Sequence, residues 1–135
     1  MLRSLLLLVL LAMAPGARPQ PTVPDTPVGR TFAAWLASFN AGELARLDAF
    51  NERYWPDGPP MSMAMGIRED TGGFVPLRIE ATDDRSLVAF LQAKSSEDVF
   101  RFELALKPGT ERPTIRRALL QPTERPPDLA LPRLP

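Results

Sequence analysis

Glu69 and Asp70 stand side by side ahead of a Gly72-Gly73 pair, in the stretch REDTGGFVPLRIEAT from Arg68 to Thr82. A carboxylate beside a flexible turn can reach a pocket and move a proton as general acid or base. Solvation of a charged helix end accounts for the same two residues. Asp83 and Asp84 form a second adjacent pair. Neighbours on a strand point to opposite faces, so these two read as a solvated turn. The chain contains no histidine and no cysteine. That removes the usual base near neutral pH, the thiolate nucleophile, disulfides and thiolate metal sites. Without histidine no conventional serine triad can form, and no serine lies in a G-x-S-x-G context. Gly72-Gly73 lacks the Lys-Ser/Thr and the following helix of a phosphate loop. The sequence therefore assigns no catalytic residue, no metal ligand and no cofactor. Its expected character is non-catalytic, with a carboxylate enzyme built on Glu69 or Asp70 as the alternative.

The elements that would hold such a site fit in one domain, since the chain has 135 residues, 44% of them apolar. Sixteen Lys/Arg offset sixteen Asp/Glu, so no net field draws the chain to nucleic acid or to anionic membrane. Arg3 precedes LLLLVLLAMA, Leu5 to Ala14, and APGAR follows with small residues. A basic start, a short apolar core and a small-residue cleavage site make a secretory signal, expected over residues 1–16. The apolar run is too short for the ~20 residues that span a bilayer. The expected location is secreted or periplasmic, with no membrane attachment after cleavage. Residues 17–26 read as a Pro-rich linker, 27–121 as the folded domain and 122–135 as a Pro-rich tail. The tail ends in PRLP, a minimal P-x-x-P pattern.

Within the domain, Thr26 and Pro27 predict a helix start. Phe32, Trp35, Leu36 and Phe39 then recur at helical spacing, giving a first helix from Pro27 to Phe39. Asn40 with Glu43 resembles a capping box for a second helix, Gly42 to Tyr54. Leu44, Leu47, Phe50 and Tyr54 line its apolar side. WPDGPP must be a loop, and MSMAMGIRED a short third helix stopped by Gly72-Gly73. Beyond it the period becomes two. Val75, Leu77, Ile79 and Ala81 alternate with Phe74, Pro76, Arg78 and Glu80, predicting that the first set faces inward. Three more strands follow, Ser86 to Lys94, Val99 to Lys107 and Thr114 to Pro122, separated by turns that suit antiparallel hairpins.

Helices grouped ahead of strands define an α+β fold, with the helices packed on a curved four-stranded antiparallel sheet. The first helix should seal the Phe100, Phe102, Leu104 and Leu106 face. Arg78, Glu80, Arg101, Glu103 and Arg116 should form a charge ladder on the other. Trp35, Tyr54, Trp55, Met61, Met63 and Met65 either fill the core or line an apolar cavity between helices and sheet.

Two segments carry a resemblance: GRTFAAWLASFNAGELARLDAFNERYW, Gly29 to Trp55, and Arg68 to Leu106 with its TGGF join. Together they resemble the small domain that precedes β-lactamase-type serine hydrolases and tail-specific-type serine peptidases in secreted bacterial proteins. The W-L-x-x-F-N-x-G helix end is similar to the opening of nuclear transport factor 2-like and SnoaL-like domains. The resemblance implies a cystatin-like or nuclear transport factor 2-like sheet with a cavity, and an accessory role beside a hydrolase. It transfers no catalytic residue, because in those hydrolases the chemistry lies in the downstream domain. The functional expectation is an exported domain that binds a small apolar ligand or another protein chain, a second copy of itself included.

Overall fold

Local sequence signals set the helices. A computed structural model describes residues 20–130. The segment 1–16 expected to be a signal, the start of the expected linker and the terminal PRLP lie outside the described residues. Helix α1 spans Pro27–Ala41; the Thr26 hydroxyl caps it, accepting from the Gly29 N–H at 3.1 Å. A second anchor holds this start, because the Val28 N–H donates to the Asp84 carbonyl at 3.1 Å. Helix α2 spans Leu44–Tyr54 and α3 spans Met61–Thr71. Four strands follow: β1 Phe74–Asp83, β2 Ser86–Ala93, β3 Val99–Leu106 and β4 Ile115–Thr123.

Each strand pairs antiparallel with the next, giving the order β1-β2-β3-β4 in one open sheet. Three helices packed with a four-stranded antiparallel sheet make the chain α+β, as the sequence predicts. The α1 ridge covers the inner face. Phe32 and Phe39 are buried, and the Trp35 ring stacks on Phe102 at 4.1 Å between centroids. Leu87, Ala89, Leu91 and Ala93 of β2 and Phe102, Leu104 and Leu106 of β3 complete the buried layer.

Two expectations about strand faces are corrected. The pairing shifts register between Pro76 and Arg78, leaving Leu77 as the extra residue of a bulge. Ile79 and Ala81, opposite Ala89 and Leu87, lie on the inner face as the alternation predicts. Ahead of the bulge the sense is reversed. Phe74, opposite Ala93, is 1% exposed, and its ring stacks with Phe39 at 5.1 Å. A second shift places Ala105 opposite Arg117 and Leu106 opposite Ile115, so Arg116 is skipped. Arg117 thus takes the place expected for Arg116 in the charge ladder. Its guanidinium lies 3.5 Å from Glu103, which also pairs with Arg101 at 3.1 Å.

The tail does not simply leave the domain. After β4, residues 124–130 fold back over the outer face, with one turn of 3-10 helix at Pro127–Leu129. Arg125 donates to the Gln92 side chain on β2 at 2.7 Å and to the Glu97 carbonyl at 3.2 Å. Asp128 pairs with Arg78 on β1. Val99 is 4% exposed although its partners Gln92 and Thr123 belong to the outer face.

Candidate binding cavity

The glycine join that could have carried chemistry is a structural clamp. Helix α1 runs past Phe39 to Ala41, and Gly42 ends it in the left-handed region at φ 69°. Asn40 is therefore inside α1 and does not cap α2; Glu43 occupies that position and makes no side-chain cap bond. The Asn40 amide reaches β1 instead. Its Nδ2 donates to the Phe74 carbonyl at 2.9 Å, and its Oδ1 accepts the Phe74 N–H at 2.8 Å. An amide offers one donor and one acceptor side by side, so it completes this backbone as a neighbouring strand would. The Asn40 carbonyl accepts from the Arg68 guanidinium at 3.0 Å. Gly73 fits at φ 100° because a Cβ there would stand 2.7 Å from Asn40 Oδ1. The F-N-x-G and TGGF stretches are thus two halves of one joint.

Glu69 and Asp70 are exposed at the end of α3. The Asp70 carbonyl, not its carboxylate, accepts from the Ser95 hydroxyl at 2.9 Å. Glu69 borders a shallow depression with Ala41, Gly42, Met65 and Arg68. Neither lines the cavity described next. Asp83 and Asp84 are exposed at the β1–β2 turn, where Asp83 Oδ1 accepts the Arg85 N–H at 2.8 Å.

An apolar concavity lies where α2 and α3 meet β3 and β4, and it has a volume of about 170 Å³. Trp35 and Phe39 of α1 form its back wall, with Leu47, Phe50 and Asn51 of α2 beside them. Trp55, Pro59 and Pro60 of the intervening loop, then Met61, Met63, Ala64 and Ile67 of α3, line another side of it. Phe102, Ile115, Ala118 and Leu120 form the sheet side. The cause is visible in the helix faces. Helix α3 contributes one buried residue, Thr71 at its end, whereas α1 contributes five. At the start of α3, Met61 and Ala64 pack against the core only partly buried, and Met63 remains 64% exposed.

No lining residue carries a charge. Among the described residues no group of His, Cys, Asp or Glu could hold a metal ion. Four of the six residues read as cavity candidates do line it: Trp35, Trp55, Met61 and Met63. Met65 faces the depression beside Glu69, and Tyr54 borders a notch with Arg53 and Arg112. Sequence reading missed Asn51, the one polar aliphatic side chain in the lining. Its signal was available, because position 51 falls four residues after Leu47 on the apolar stripe of α2.

No family model, curated protein or solved structure matches this chain. No helix among the described residues is long and apolar enough to cross a membrane.

Proposed function

We propose that this chain is an exported, non-catalytic domain that binds a small apolar ligand in the cavity between α2, α3 and the β3–β4 side of the sheet. The observation that carries the reading is the lining: aromatic rings, methionines and aliphatic side chains around about 170 Å³, with no titratable group. Small-molecule sites are concave and mainly apolar, with few polar groups to set orientation. An acid–base mechanism needs a carboxylate within hydrogen-bond reach of the substrate, and Glu69 and Asp70 lie outside this lining. Export rests on the Arg3 and Leu5–Ala14 pattern. An accessory role beside a hydrolase rests on the resemblance of the two clamped segments alone.

Binding another chain along the sheet edges is the weaker reading. Edge strand β1 carries Pro76 and register shifts near Leu77 and Thr82. Edge strand β4 carries Pro122 and the shift at Arg116. Proline and bulges interrupt the ladder that an added strand would need.

Native mass spectrometry of the full chain purified from its own host tests the proposal. A retained small molecule, lost in an Ala118→Trp variant that keeps its helical and sheet circular dichroism, is the expected result. A ligand-free monomer that also fails to take up apolar probes overturns it.

A further inference from the structure

The cavity lining narrows the class of ligand, and this step rests on the small-ligand reading above. A dry apolar cavity of about 150 Å³ accommodates a benzene ring, so about 170 Å³ suits one six-membered ring with a small substituent. Trp35, Phe50, Trp55 and Phe102 present aromatic surfaces to that space. Aromatic pairs gain from offset or edge contacts beyond simple burial. Met61 and Met63 add thioethers, which favour ring edges.

Charge is selected against. A carboxylate entering this lining would lose water and meet no counter-charge. One polar side chain remains. Asn51 also borders the surface depression formed with Asp48, Glu52 and Pro56, so it stands between the cavity and solvent. Its amide carries both an acceptor and donors. A hydroxyl at the cavity mouth can donate to Oδ1 or accept from Nδ2.

We propose that the cavity takes a neutral phenol: one aromatic ring among Trp35, Phe50, Trp55 and Phe102, with its hydroxyl at Asn51. The step is reversible binding, with no bond made or broken.

The test uses the full chain and four probes, phenol, toluene, anisole and benzoate, measured by titration calorimetry and tryptophan fluorescence. Phenol should bind about 3–10-fold more tightly than toluene, the value of one net hydrogen bond. Anisole, an acceptor only, should fall between them, and benzoate should not bind. Asn51→Leu should remove the phenol advantage while toluene binds as before. Equal affinity for phenol and toluene in the unaltered chain overturns the phenol assignment and leaves the apolar cavity standing. Benzoate binding as tightly as phenol overturns the assignment also. Failure of every probe overturns the small-ligand reading itself. The comparison of phenol with toluene needs no variant, so it decides the matter even if Asn51→Leu does not fold.

Discussion

The two ends of the helix–sheet interface are packed to different degrees. Under α1 the contact is closed around Phe32 and Phe74, which are at most 1% exposed, while Trp35, Phe39 and Phe102 also border the cavity. Under α3 the same sheet meets methionines and alanine across a cavity of about 170 Å³. The first region has bulky rings on both partners and a polar clamp that fixes their spacing. The second has a helix of weak amphipathic character that begins after a proline-rich loop. The first region is thus the more tightly packed of the two, and the second keeps the opening. Interiors normally pack as densely as organic crystals, so the apolar opening at the α3 end departs from the packing under α1.

The sharpest break of that comparison is at the closed end. Phe74→Ala removes a ring that meets Trp35, Phe39 and Phe100. The expected loss is about 3–5 kcal/mol by urea denaturation, as for other buried Phe→Ala changes. A loss under 1 kcal/mol would show that the aromatic layer is not the stabilising centre.

Asn40→Ala is next. It leaves the Phe74 N–H and carbonyl without their partner, at about 1–3 kcal/mol for a buried group left unsatisfied. Gly73→Ala should cost a similar amount, because it adds a Cβ at positive φ against the same amide. The two changes act on one joint, so their double variant should lose less than the sum. Strict additivity in denaturation would show that the joint is not a unit.

At the open end the effects should separate. Ala118→Leu adds volume where there is space, so stability should change by less than about 1.5 kcal/mol. Uptake of toluene or phenol should nonetheless fall at least tenfold by calorimetry. Unchanged uptake would place the ligand outside this cavity.

Much of this contrast is legible in the sequence, and the exceptions have physical causes. Phe32, Trp35 and Phe39 recur at helical spacing, and Phe102, Leu104 and Leu106 alternate cleanly, so the closed end can be read directly. Asn40 misleads because a capping box needs only local residues, whereas its actual partner, Phe74, is 34 positions away. Phe74 misleads because alternation assumes an unbroken strand, and the bulge at Leu77 inverts the sense ahead of it. Arg116 gives way to Arg117 for the same reason. The cavity was visible only as a choice between core and pocket for Trp55, Met61 and Met63. Which of the two holds depends on how far α3 stands from β4, a distance that no periodicity encodes.

The smallest effect belongs to the outer face, where the 124–130 segment crosses the sheet. Arg125 is held by three acceptors, on Gln92, Glu97 and Leu129. Asp128 is held by an ion pair whose two side chains are 67% and 28% exposed. Screening makes such a pair worth at most about 1 kcal/mol. Asp128→Ala should therefore shift stability by less than that, with the shift shrinking further in 1 M salt. Arg125→Ala should loosen the segment at any ionic strength, because its bonds to carbonyl and amide oxygens do not depend on a counter-charge. Hydrogen exchange over residues 124–130 separates the two cases. Neither variant should alter probe uptake, since the segment and the cavity lie on opposite faces of the sheet. A change in toluene affinity on Arg125→Ala would mean that the two faces are coupled through β2 and β3, and that the open end is not independent of the rest.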